Sequence, residues 1–162
     1  LFFDSNDAVI IALILFILGS LSDALDGAFA RRRSSESQFG AFLDPIADKF
    51  LVFLVLISLV YQRGSTIVFV ITILIISREV FIMSLREWMA NSLNGKTLEV
   101  SSLAKTKTIV QMLGISMVIA TPIIHLSYYF ELSIVVLIIG TLFGYFSAYK
   151  YYKESDKAIF IK

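Results

Sequence analysis

The chain has 162 residues, 57% of them hydrophobic, and a mean hydropathy of +0.83, which is more apolar side chain than a water-soluble domain of this size can hide. It contains no cysteine, so disulfide frameworks, thiolate nucleophiles and Cys-ligated zinc or iron–sulfur centres are excluded. Its 14 Lys and Arg nearly balance its 13 Asp and Glu, which gives no basic excess for a nucleic-acid partner and leaves the information in where the charges fall.

A helix needs about 20 mostly apolar residues to cross a bilayer, and five such stretches follow one another at 8–30, 38–61, 65–91, 105–126 and 132–152. Short polar joins separate them, such as Arg32-Arg33-Ser34-Ser35-Glu36-Ser37 and Asn91-Ser92-Leu93-Asn94-Gly95-Lys96. The expected protein is therefore an all-α integral membrane protein, a helical bundle in which residues 1–162 form a single membrane domain. Leu1-Phe2-Phe3 looks like the tail of a further apolar segment, so a sixth, N-terminal helix is expected upstream. A signal peptide fits poorly, because residues 8–19 have no basic region before them and run on without a cleavage site. With the 31–37 join in the cytoplasm, only Arg63 of the 14 Lys and Arg falls at an outer end, as the positive-inside rule requires.

The first element carries two acids where lipid would tolerate them least. Asp23 and Asp26 are spaced i,i+3, and Gly27, Ala30 and Arg31 continue the same helical face. The second element repeats the pattern, with Gly40, Asp44 and Asp48 at i,i+4,i+8. A short join makes the two helices antiparallel neighbours, so the four carboxylates can converge at the cytoplasmic end of the bundle. An intramembrane acid costs roughly 3 kcal/mol even on the lenient insertion scale, and a partner must offset four of them. Carboxylate oxygens without His or Cys suit hard cations, Mg²⁺ or Mn²⁺, and four negative charges match two divalent ions, the usual device for in-line phosphoryl displacement. Gly27 and Gly40 leave room for a flat base or a neighbouring backbone, and Arg31 is placed for a phosphate. The plainer readings are helix packing for the glycines, a positive-inside anchor for Arg32 and Arg33, and structural ion pairs for the aspartates. Pro45 either sits in the first turn of a helix starting near Ala41 or kinks a longer one.

In the third element Arg78 and Glu79 fall near the middle, at membrane depth, with Arg86 eight residues on, roughly 12 Å along the axis. Lys105 and Lys107 open the fourth at the same cytoplasmic level, so Arg78, Arg86, Lys105 and Lys107 are expected to form an anion funnel. The alternatives are interfacial snorkelling for the lysines and a buried pair with Glu79 for Arg78. His125, Tyr128 and Tyr129 at the outer end, and Tyr149, Tyr151 and Tyr152 at the inner end, read as interfacial residues.

The pattern Asp23-x2-Asp26-Gly27-x2-Ala30-Arg31-x8-Gly40-x3-Asp44-x3-Asp48 resembles, at every position, the signature of the CDP-alcohol phosphotransferases. Ser77-Arg78-Glu79-Val80, Leu85-Arg86-Glu87, Ala104-Lys105-Thr106-Lys107-Thr108 and Gln111-Met112 extend the resemblance to the branch that makes phosphatidylglycerophosphate; Ala104 departs from the Gly of many relatives. The resemblance implies six spanning helices, a homodimer and a place in the cell (inner) membrane with the active site facing the cytoplasm. It implies transfer of a phosphatidyl group from CDP-diacylglycerol to an alcohol, with release of CMP. Asp23, Asp26 and Asp44 would bind two Mg²⁺ or Mn²⁺ ions, Asp48 would be general base and metal ligand, and Gly27, Ala30, Arg31 and Gly40 would line the CDP site. The funnel of Arg78, Arg86, Lys105 and Lys107 selects a phosphorylated acceptor, sn-glycerol 3-phosphate, over serine; inositol phosphate or a phosphatidyl lipid are the alternatives within the same chemistry. A divalent-cation transporter would also use intramembrane acids, but it leaves Gly27, Ala30, Arg31 and Gly40 unexplained. An intramembrane aspartyl protease would need a Gly-x-Gly-Asp pattern that this chain lacks.

Overall fold

The computed structural model describes residues 6–29, 38–92 and 102–160, with side chains for 6–22, 49–89 and 106–156. These residues form helices α1 (Asn6–Phe29), α2 (Gln38–Arg63), α3 (Thr66–Ser92), α4 (Ser102–Ala120) and α5 (Tyr129–Phe160). Gly64 ends α2 in the left-handed region at φ 57°. Its N–H donates to the Val60 carbonyl at 3.1 Å, the single-bond helix stop that glycine adopts without strain. The Ser65 carbonyl then opens α3 by accepting from Phe69 N–H at 3.0 Å.

The fourth helix ends at Ala120 rather than at the expected 126. Pro122 has no N–H to continue the ladder and pushes Thr121 out of helical geometry, and the chain turns with Ile123 N–H donating to the Ala120 carbonyl at 3.1 Å. Arg63 Nη2 donates to the Val118 carbonyl at 2.8 Å, which also accepts Thr121 N–H at 3.4 Å, and sets a cation at the negative end of the α4 dipole. The α2 helix begins at Gln38, so Pro45 lies in its interior and leaves the Ala41 carbonyl without its helical donor. The last helix runs 32 residues, about 48 Å, and outlasts a hydrocarbon core of about 30 Å.

Helix α4 is the hub, packing against α5 most extensively and also against α1 and α2, while α3 bridges α2 and α5. Glycines set the α4–α5 spacing. A Cβ on Gly114 would lie 2.8 Å from Leu137 Cα, and one on Gly140 would lie 2.9 Å from Gln111 Cα, so the backbones meet directly. Among the described residues α1 packs chiefly on α4 and meets α2 where Gly19 lies against Leu51, a built Cβ coming 2.7 Å from Leu51 Cδ2.

The main core joins Phe16 of α1 to Val52, Val55, Leu56 and Leu59 of α2, Val68, Ile71 and Ile75 of α3, Ile115, Val118 and Ile119 of α4, and Ile134 and Leu137 of α5. A smaller cluster, Ile82, Leu85 and Ala148, packs near Tyr151. Large apolar side chains also cover the outside: Leu15 is 63% exposed, Ile109 69% and Leu142 62%. Water-soluble monomers do not carry apolar surface on this scale; it belongs to a membrane protein. Among the described residues, two stretches, Thr66–Met89 and Tyr129–Asp156, are long and apolar enough to cross a bilayer, and shorter apolar helices cover Asn6–Ser22 and Thr106–Ala120.

Candidate functional site

Between the two apolar clusters lies a layer of buried charge. On α3, Ile75 and Ile82 flank Arg78 and Glu79, which are 8% and 5% exposed. Arg78 Nη1 donates to Glu79 Oε1 at 2.9 Å and Arg78 Nε to the Gly144 carbonyl of α5 at 3.0 Å. Lys107 of α4, equally buried, donates its Nζ to the same Glu79 oxygen. Gly144 lies beside both cations: Lys107 Cε and Arg78 Nε run past at 3.5 and 3.7 Å from where a Cβ would stand, ordinary contact distances. Charges at this depth persist only when paired and hydrogen-bonded.

A cleft opens beside the layer, lined by Lys49, Val52, Glu79, Lys107, Thr108, Gln111 and Met112. Lys107, Arg78 and Lys49 all act electrostatically on the Glu79 carboxylate. Among the described side chains three cations face the Glu79 carboxylate, and two of them, Lys49 and Lys107, are in the lining of the cleft.

The lining ties this cleft to the aspartate motif. Lys49 directly follows Asp48 in α2, and Val52 lies one turn beyond it. On α2, Asp48 lies one turn before buried Val52, and Asp44 and Gly40 lie one and two turns further back along the helix. On α1, Ala12, Leu13 and Phe16 pack into the core, and Ser20 reaches Met112 Sδ at 3.6 Å; Asp23, Asp26 and Gly27 follow three, six and seven residues beyond Ser20 on the same helix. The Gly19–Leu51 contact sits between these turns, with Asp23 one turn beyond Gly19 and Asp48 one turn before Leu51.

The side chains of Asp23, Asp26, Asp44, Asp48 and Lys105 lie outside the described residues, as do Ala30 and Arg31 entirely; among the described residues no cluster of His, Asp or Glu could hold a metal. Of the expected funnel, the structure brings Arg78 and Lys107 together. Arg86 stands apart: it is exposed, its guanidinium 5.6 Å from the centre of the Tyr151 ring. Eight residues turn a helix by about 80° beyond two full turns, enough to carry Arg86 off the buried line of Arg78. Lys49 and Gln111 line the cleft without having been singled out for it in the sequence. Their signal was there, in a lysine adjoining the last motif aspartate and an amide one turn beyond Lys107 in α4. His125 is exposed in the α4–α5 turn.

The family model described as CDP-alcohol phosphatidyltransferase matches residues 1–146. A protein of Wigglesworthia glossinidia brevipalpis named CDP-diacylglycerol–glycerol-3-phosphate 3-phosphatidyltransferase is 42% identical over 110 residues, 68% of this chain and 60% of that protein. Proteins of the same name from Salmonella choleraesuis and Escherichia coli K12 are 35% and 36% identical, over 75% and 72% of this chain and 66% and 64% of their own lengths. The chain thus spans about 60–66% of the length of these relatives.

Proposed function

The chain belongs to the CDP-alcohol phosphatidyltransferase family, and from that premise we propose that it transfers the phosphatidyl group of CDP-diacylglycerol to sn-glycerol 3-phosphate, forming phosphatidylglycerophosphate and CMP. The observation that carries this reading is the cationic cleft adjoining the α2 turn that bears Asp48. An acceptor phosphate is drawn to that cleft beside the carboxylate that would activate its hydroxyl. The names of the relatives give the same donor and acceptor.

The donor set on α1 and α2 fits hard divalent cations, being all carboxylate oxygen. Asp23, Asp26, Asp44 and Asp48 would hold two such ions, Mg²⁺ or Mn²⁺, which when bound neutralise the diphosphate and the departing CMP. Gly27, Ala30, Arg31 and Gly40 line the cytidine diphosphate. Arg78 and Lys107, with Lys105 half a turn before and Lys49 across the cleft, hold the acceptor phosphate, and Arg86 steers it from outside. Asp48 takes the proton from the acceptor's primary hydroxyl as that oxygen attacks the lipid-linked phosphorus and the bond from this phosphorus to CMP breaks. The apolar exterior lies in the cell (inner) membrane, the five helices of this chain crossing it, with the cleft open to the cytoplasm and the working unit a homodimer.

The test is CMP release from CDP-diacylglycerol by the purified protein in detergent with Mg²⁺, with and without sn-glycerol 3-phosphate. Release should require the acceptor, and Asp48→Asn should lower turnover by at least about 100-fold, the range of a lost general base, while CDP-diacylglycerol binding changes far less. Equal loss of binding and turnover would make Asp48 chiefly a ligand. Release with another alcohol only would overturn the acceptor.

A further inference from the structure

We propose that Gln111 determines acceptor specificity by hydrogen-bonding the neutral secondary hydroxyl of the acceptor while the cations beside it hold the phosphate. This rests on the function proposed above.

Gln111 is 5% exposed and lines the cleft with Lys49, Glu79, Lys107 and Thr108. Its carboxamide has no hydrogen-bond partner among the described residues, although Glu79, Arg78 and Lys107 in the same layer are all bonded. Among the described residues the enclosed side-chain atoms without a partner are Arg63 Nε and Thr72 Oγ1; the Gln111 carboxamide is not one of them, so it opens onto the cleft it lines and is free to bond what enters. The backbone holds it there. Gly140 abuts Gln111 so closely that a Cβ on it would lie 2.9 Å from both Gln111 N and Cα, which fixes where the α4 backbone can stand. Gln111 sits one helical turn from Lys107, about 6 Å along the axis, a separation that suits two ends of one small acceptor. A carboxamide offers both a donor and an acceptor and no charge. That is the complement of a hydroxyl, whereas the phosphate is already served by Lys107, Arg78 and Lys49.

The experiment compares two acceptors for the purified full chain in detergent with CDP-diacylglycerol and Mg²⁺: sn-glycerol 3-phosphate, and 3-hydroxypropyl phosphate, which keeps the attacking hydroxyl and the phosphate but lacks the secondary hydroxyl. The wild type should favour sn-glycerol 3-phosphate in kcat/KM by about tenfold or more, the effect of one hydrogen bond to a buried polar group. Gln111→Met, close in volume, should erase that preference by lowering kcat/KM for sn-glycerol 3-phosphate while leaving that for the deoxy acceptor within about threefold. Equal use of both acceptors by the wild type would overturn the proposal whether or not the variant is recovered. So would a Gln111→Met variant that loses activity on both acceptors alike, which is what a purely structural residue would do. Failure of the wild type to release CMP with either acceptor would overturn the function itself, an outcome distinct from equal use.

Discussion

Replacing Glu79 by Gln removes the carboxylate that, among the described side chains, holds two buried cations against it. The Arg78 and Glu79 side chains are 8% and 7% exposed and that of Lys107 is 7% exposed, so neither cation can turn to water when the carboxylate is lost. Breaking such a pair from one side costs about 3–5 kcal/mol, because an uncompensated charge stays buried. In a chain of this length that is roughly a 6–20 °C fall in Tm. Lys107→Met should cost far less, about 1 kcal/mol, since it leaves Arg78 and Glu79 as a neutral pair with Arg78 still bonded to the Gly144 carbonyl. The double variant Glu79→Gln/Lys107→Met removes one charge of each sign and should recover at least half of the loss. Thermal unfolding of the purified variants in one detergent, followed by intrinsic Trp88 fluorescence, reads all three. The reasoning is refuted if Glu79→Gln shifts Tm by less than about 3 °C, or if Lys107→Met costs more than Glu79→Gln.

At the α4–α5 seam, Gly114→Ala drives a methyl to 2.8 Å from Leu137 Cα and should lower stability by about 1–3 kcal/mol, while Gly144→Ala, whose methyl meets side-chain atoms at 3.5–3.7 Å, should stay within about 0.5 kcal/mol; paired melting curves check the contrast. Arg63→Met removes the cap on the Val118 carbonyl and should cost about 1 kcal/mol, with CMP release unchanged at a temperature where the variant is folded, because 14 residues of α2, about 21 Å, separate Arg63 from Lys49.

The helices were legible because lipid makes their pattern coarse: a run of about 20 apolar residues needs no partner to be recognised. The limits moved where local chemistry intervened, at Pro122, which stops α4 early, and at Tyr129, where α5 begins ahead of the expected 132. The aspartate motif was legible as spacing, since i,i+3 and i,i+4 fix a shared face before any packing is known. Packing between helices was not. The seam of α4 and α5 depends on Gly114, Gly140 and Gly144 meeting particular residues of the opposite helix, and single glycines in apolar runs do not announce their partners. Nor did the sequence separate Arg78 from Arg86. Both are arginines on one helix at deceptively similar positions, and only the small angular drift over eight residues makes one a buried ion-pair member and the other a surface cation on Tyr151.

That division bears on why Glu79 is there at all. Arg78, Lys107 and Lys49 without Glu79 would be three cations held together with no other carboxylate among the described side chains to offset them. With Glu79 bonded to both buried cations the layer can fold before any ligand arrives, and among the described side chains two positive charges remain over. A phosphate monoester carries a charge of about −1.5 to −2 at neutral pH. On the proposed function the cleft is therefore near neutral when the acceptor is seated, and it draws the acceptor in only while empty. A second carboxylate in the layer would halve that attraction, and none would leave the empty layer destabilised by uncompensated buried charge. The same balance gives Glu79→Gln a second signature in any fraction that does fold: the extra positive charge should tighten acceptor binding, lowering KM for sn-glycerol 3-phosphate even as Tm falls. A KM that rises together with the loss of Tm would mean that Glu79 serves to shape the cleft and not to set its charge.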